Sequence, residues 1–282
     1  MSMLPLLVSL LPSADATAAH PYPLNTTFSL QDAEAEAPAE EAEENPGWTG
    51  SASAGATLTR GNSETLNIGL TFDAEKRTDE DRWTFGSWFT LSEQTVKTVD
   101  ETVPEVNFND ETTAKDYGAR LQYDRFVNEE LYWYANAGFE KDEIAQLQVR
   151  ARGGFGAGYQ FRDDEDFTLN GEAGLTYIHE DLEGASPNDY VALRLAYNLW
   201  KQLTETTQLT QSAELFPSLK DSEDWNATLD TAIDVTISAS MFLRVQHVLE
   251  YDNTVARGLP IGIGDGAKKA DHRIMTTLGW TF

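Results

Sequence analysis

The last ten residues, Arg273–Phe282, alternate between two faces. Ile274, Thr276, Leu278, Trp280 and Phe282 share one face; Arg273, Met275, Thr277, Gly279 and Thr281 share the other. A period of two is the side-chain period of a β-strand. The first face is mostly apolar and ends in aromatic residues, and the second is mostly polar. Such a strand at the edge of an open sheet invites aggregation. In a closed barrel it pairs with the first strand, and no edge is left. A terminal strand of a soluble sandwich has the same period, so the choice rests on the rest of the chain.

From Trp48 onward the same alternation recurs, punctuated by turn residues. Leu66, Ile68, Leu70 and Phe72 form one apolar set, Leu131, Trp133, Ala135, Ala137 and Phe139 another. Val191, Leu193, Leu195, Tyr197 and Leu199 form a third. About twelve such strands are predicted, an even number, as single-chain bacterial outer-membrane barrels require. Short turns are expected after strands two, four, six, eight and ten. Longer connections are expected at Thr95–Glu111, Glu180–Asn188, Pro217–Asp224 and Asp252–Asp271. Sorting of loop length by parity has no cause in a sandwich. In a transmembrane barrel it places the termini and short turns in the periplasm and the long loops outside.

The faces between the apolar sets are polar. Asp73, Asp116, Arg120, Asp124, Arg150, Arg152, Glu172, Arg194, Glu214, Asp230, Arg244, Glu250 and Arg273 are the predicted lumen-facing charges. Apolar outside and polar inside is the inversion that lipid demands. Trp48, Trp83, Trp133, Tyr159, Trp200, Trp225, Trp280 and Phe282 are predicted to lie at the membrane boundaries, where amphipathic rings are favoured. Trp88 breaks the phase of its strand, which predicts either a bulge or a tryptophan inside. The fold class is therefore all-β, a transmembrane antiparallel up-and-down barrel.

Two segments precede it. Residues 1–19 resemble a signal peptide, with an apolar run Leu4–Leu11 and small residues beyond it, although a basic start is missing. Residues 20–47 read as a disordered acidic linker, rich in Ala, Glu and Pro and too poor in apolar groups to offset its ordering entropy. The barrel is assigned to residues 48–282. A formal net charge of −27 argues against nucleic acid as a partner, because that requires clustered Lys and Arg. It admits small cations. The expected surroundings are outer-membrane lipid and lipopolysaccharide, with the assembly machinery engaging the C-terminal strand.

Several stretches resemble a known family. Tyr117–Asp124 (YGARLQYD), Leu131–Tyr134, Phe139–Asp142 and Arg150–Tyr159 (RARGGFGAGY) are similar to the salt-induced outer-membrane proteins of Gram-negative bacteria. Gly61-Asn62-Ser63 and Glu172-Ala173-Gly174 also suit that pattern. The resemblance covers the whole barrel and implies architecture and location. The family is one of unknown function, so it brings no catalytic residues.

The chemistry of the chain points to no enzyme. His20, His179, His247 and His272 show no metal-ligand spacing, and no cofactor motif occurs. Acidic loop residues suit divalent ions only in the general sense that hard cations favour oxygen. The Gly-rich stretch Gly258–Gly266 is a candidate plug at the barrel mouth. Two functions stay open. One is a narrow, cation-preferring passive channel linked, through the resemblance, to salt or osmotic adaptation. The other is a non-conducting structural or surface-binding barrel. Twelve strands lie between the eight whose interior is filled by side chains and the sixteen that leave a pore.

Overall fold

The computed structural model describes residues 47–59, 64–99, 106–254 and 269–282. They form twelve strands: β1 Thr49–Thr59, β2 Glu64–Arg77, β3 Asp81–Val99, β4 Val106–Phe126, β5 Leu131–Asp142 and β6 Leu147–Asp163. The second half continues with β7 Phe167–Leu182, β8 Asn188–Thr204, β9 Thr207–Pro217, β10 Trp225–Ser238, β11 Met241–Asp252 and β12 Ala270–Thr281. Each strand pairs antiparallel with its neighbours in sequence, and β1 pairs with β12 to close the barrel. Residues 1–46, the turn 60–63 and the Gly-rich stretch at 258–266 lie outside the described residues.

Alternation decides which way each side chain points. On β5, Trp133 and Phe139 face outward at 60% and 49% exposure, while Tyr132 and Tyr134 between them face inward and are buried. Leu70, Phe155, Leu175, Leu195, Ile233 and Val245 stand on the outer surface. Arg82, Asp124, Asn170, Glu172, Arg194, Asp234 and Arg244 are buried inside. An apolar exterior round a charged interior makes this a membrane-spanning barrel.

Paired rings brace the exterior near the boundaries. Trp83 and Tyr123 lie 4.7 Å apart between centroids, and Trp225 stacks on Tyr251 at 4.7 Å. Phe282 stacks on Phe72 at 5.8 Å, and its backbone exchanges hydrogen bonds with Gly50. Trp48, Trp133, Tyr159 and Trp280 are also outward and exposed. Trp200 is the exception and corrects the boundary list. It is 3% exposed and faces the lumen, where its Nε1 donates to Gln208 Oε1 at 3.1 Å. The reason is phase: Val191, Leu193 and Leu195 set the odd positions of β8 outward, so an even position points in.

The turns follow local chemistry. Asn128 Oδ1 accepts from the backbone N–H groups of Glu130 and Leu131 at 2.9 and 2.7 Å, which closes the β4–β5 turn. Thr78 and Asp81 close the β2–β3 turn in a similar way. The expected connection Thr95–Glu111 is mostly strand. β3 runs on to Val99 and β4 begins at Val106, with Thr95 opposite Asp110 and Gln94 opposite Glu111. β-branched Thr and Val continue the ladder there, and the Thr95 hydroxyl donates to Asp110 at 2.7 Å. A β-bulge lies between Ser92 and Glu93, and β2 stays paired with β3 as far as Thr95, beyond which the hairpin continues without it.

Candidate functional site

The lumen has a filled end and a hollow end. The filled end lies beside the short turns and the two ends of the barrel domain. There Arg82 donates through Nε to Asp124 Oδ2 at 2.7 Å, and both side chains are fully buried. Gln122 donates to Asp124 at 2.8 Å and to Glu172 at 2.9 Å. Glu172 also receives the Tyr132 hydroxyl at 2.8 Å and Arg194 at 2.6 Å. Arg194 reaches Glu214 at 2.8 Å. The network thereby runs through strands β3, β4, β5, β7, β8 and β9.

A second set fills the remaining arc. Arg244 grips both carboxylate oxygens of Asp234 at 2.8 and 3.2 Å and lies 4.0 Å from Asp73. Asn198 donates to Asn170 at 3.0 Å, beside the Trp200–Gln208 contact. The arginines are capped by rings: Arg82 stands 5.3 Å from the Tyr132 centroid and Arg244 5.2 Å from Phe242. These groups form a floor across the lumen.

Two floor rings depend on glycines across from them. A Cβ on Gly158 would come within 2.5 Å of the Tyr132 hydroxyl, and one on Gly279 within 2.5 Å of the Phe242 ring. Each ring lies flat on the neighbouring strand because that strand has no side chain there. Gly158→Ala is therefore expected to destabilise the barrel by about 1–3 kcal/mol, the usual cost of overpacking. Urea unfolding of the refolded protein checks it; unchanged stability would mean that Tyr132 has another resting place.

Above the floor lie two adjoining cavities. The central one, about 180 Å³, is lined by Arg120, Arg150, Arg152, Arg194, Arg244 and Arg273 and by Asp73, Glu140, Glu214, Asp230 and Glu250. Six guanidinium groups thus face five carboxylates, so the centre is not acidic. The second, about 300 Å³, lies at the loop end. Eight carboxylates line it, among them Asp116, Glu180, Asp224 and Asp252, against Lys141, Arg150 and Arg152. The acid surplus is concentrated at that mouth.

Ion pairs brace the cavity walls. Arg150 bridges Glu140 and Glu180 at 2.6 and 2.5 Å and lies 3.5 Å from Asp252. Arg152 pairs with Glu140 at 3.3 Å and lies over the Phe216 ring at 4.7 Å. Arg273 binds Asp116 at 2.5 Å and Glu250 at 3.4 Å. Gln246 donates to Asp230 at 2.7 Å. Arg120 makes no ion pair or hydrogen bond among the described residues, and its Nε is buried without a partner. Trp88 lies inside, in register with Thr71 and Gly118, so its phase break is no bulge. Its indole N–H donates to Asp116 at 3.1 Å, and the Arg120 guanidinium is 6.0 Å from its ring.

All thirteen charges singled out from alternation thus stand on the lumen side. They divide into floor (Asp73, Asp124, Glu172, Arg194, Glu214, Arg244), centre (Arg120, Asp230, Arg152) and mouth (Asp116, Arg150, Glu250, Arg273). Alternation missed Arg82, Tyr132, Glu140 and Glu180 as members. Each sits between two outward residues, as Arg82 sits between the turn and Trp83, so the signal was present. His179, His247 and His272 stay outside the lumen. His179 faces Asp189 at 2.7 Å on the exposed rim, and His247 and His272 contact each other at 3.1 Å on the outer surface.

Residues 52–282 match the model of a family described as a protein of unknown function, DUF481. The chain belongs to this family. No curated protein matches the chain. Among solved structures, a bacterial polysaccharide outer membrane secretin aligns at 10% identity with a TM-score of 0.40, covering 83% of this chain and 96% of that one. The NanC porin aligns at 7% identity and 0.42, covering 83% and 97%. The translocator domain of the autotransporter NalP from Neisseria meningitidis aligns at 11% and 0.41, covering 83% and 86%. At these scores the likenesses are too distant to say what the DUF481 barrel does, and its own lumen has to carry the argument.

Proposed function

We infer that this protein is an outer-membrane barrel whose lumen is a cup, closed toward the periplasm and open to the cell exterior, and that it binds a small solute rather than passing one. The observation that carries this is the floor: Arg82, Asp124, Tyr132, Asn170 and Glu172 are buried and hydrogen-bonded, with Gln122 and Tyr132 reaching Glu172 from non-adjacent strands, while both cavities lie on the other side. In this reading the short turns are periplasmic and residues 1–19 direct export. Lipid and lipopolysaccharide surround the barrel, and the assembly machinery engages β12.

The acid surplus at the mouth favours a second reading, the narrow channel that prefers cations, provided that the floor parts. The six arginines of the central cavity oppose it. Its link to salt or osmotic adaptation rests on the family resemblance. Conductance of the refolded protein in a planar bilayer under a KCl gradient separates the two. We expect a folded, heat-modifiable barrel without steady current steps. Steady cation-selective steps would overturn the closed cup and favour the channel.

A further inference from the structure

The seam between β1 and β12 is paired over only four residues, Ser51 to Ala54 with Thr281 to Leu278. Phe282 and Gly50 add two backbone hydrogen bonds at the same end. Beyond Ala54 no ladder pair joins the two strands among the described residues. Yet both strands continue. Every residue of Gly55–Thr59 is paired with β2, and Ala270–Thr277 with β11. The seam is therefore zipped at the floor end and unzipped beside the cavities. The side chains agree: Thr57 and Thr59 are exposed although they share the inward phase of Ser51 and Ser53. Ile274, at 73%, is the most exposed large apolar side chain.

Side chains inside the barrel do what the ladder does not. Met275 of β12 reaches past β1 to β2, where a Cβ on Gly69 would lie 3.1 Å from its sulfur. Arg273 reaches past β1 and β2 to Thr90 of β3 at 3.0 Å and Asp116 of β4 at 2.5 Å. These two side chains form a latch behind an opening that faces lipid. Unpaired backbone at membrane depth is tolerated only where it meets protein or a wet cavity, and here it borders the central cavity. At Gly55 the two strands still touch, since a Cβ there would lie 2.4 Å from the Thr276 carbonyl oxygen; the opening lies beyond it, beside Ala56–Thr59, where Ile274 and Met275 supply apolar surface. In the cavity behind them stands Arg120, whose buried Nε has no hydrogen-bond partner and whose charge faces Asp73, Glu214 and Asp230 across the cavity.

We propose that the unzipped half of the seam is a lateral port, through which a single-chain amphiphile with a carboxylate head enters the cavity from the surrounding lipid leaflet. This rests on the closed-cup reading. The alkyl chain lies between β1 and β12 against Met275 and Ile274. The carboxylate accepts from the unbonded Nε–H of Arg120, a charge-assisted hydrogen bond.

The test uses the full chain refolded into phosphatidylcholine vesicles that carry dibrominated stearate, whose bromines quench tryptophan. The difference between wild type and Trp88→Phe isolates the emission of Trp88. Saturable quenching of that component is expected, with dibrominated stearyl alcohol quenching far less and Arg120→Met raising the half-quenching concentration at least about tenfold. Continuing the register would set Thr57 opposite Met275. The chain has no cysteine, so a Thr57→Cys/Met275→Cys disulfide closes the seam selectively, and quenching should vanish until a reductant is added. Quenching that survives the disulfide, or no quenching of Trp88 at all, overturns the port. Hydrogen exchange of the wild type gives a second reading free of any variant: amides of Ala56–Thr59 should exchange much faster than those of Ala52–Ala54, and equal protection overturns the proposal. The port and the closed cup fail separately. A barrel that conducts but still shows Trp88 quenching refutes only the cup, and a sealed barrel without quenching refutes only the port.

Discussion

Replacing Asp124 by alanine lowers the stability of the folded barrel by about 3–5 kcal/mol, the range for removing one partner of a buried ion pair. Arg82 loses the carboxylate it is bonded to in a site where neither side chain is exposed, since its Nε and a terminal nitrogen both meet Asp124 at 2.7 Å. The Tyr132 ring beside it offers only a weak substitute. Because desolvation costs a buried pair much of its Coulomb gain, the double variant Arg82→Met/Asp124→Leu recovers most of that loss. Urea unfolding of vesicle-embedded protein, followed by tryptophan emission, checks both. If Asp124→Ala unfolds at the wild-type urea concentration, the pair is solvated and the floor is wetter than described.

Emptying the floor of its large rings produces current where the wild type gives none. Tyr132→Ala with Trp200→Ala removes two buried side chains, one on β5 and one on β8, while leaving the ion pairs Arg194–Glu172 and Arg244–Asp234 in place. A twelve-stranded barrel is wide enough that its interior stays closed only where side chains fill it. Steady steps in the planar bilayer are expected from this variant. Their absence from a folded variant would mean that the polar residues alone close the lumen, Gln122, Asn170 and Asn198 among them.

Much of this architecture is legible in strict alternation. Each strand, and the side each of its residues faces, follows from a period of two read against the apolar set. Where the reading failed, it departed from that rule. Trp200 was assigned to the boundary for being an aromatic residue near a strand end, although Val191 and Leu195 already placed it inside. Tyr132 was passed over for the same reason in reverse. Alternation says that a residue points inward, but not what it meets there. That Glu172 gathers Gln122, Tyr132 and Arg194 depends on how three other strands are placed round the circle. Polar Thr, Glu and Asp along Thr95–Glu111 read as a loop, yet there β3 and β4 continue as a paired hairpin, which needs no apolar face where it borders water. The four-residue seam is a matter of register between the two ends of the barrel, and no local pattern in either strand reports it.

The floor also bears on how the barrel comes together. Several of its contacts reach beyond a single hairpin: Gln122 on β4 reaches Glu172 on β7, and Tyr132 on β5 reaches it too. On an open sheet these groups remain hydrated and independent. Only when the sheet curls far enough for β4 and β7 to approach do they shed water and engage, and then they engage together. Ring closure and the sealing of the interior are thus a single cooperative step, with no stage at which a finished wall stands round an empty bore.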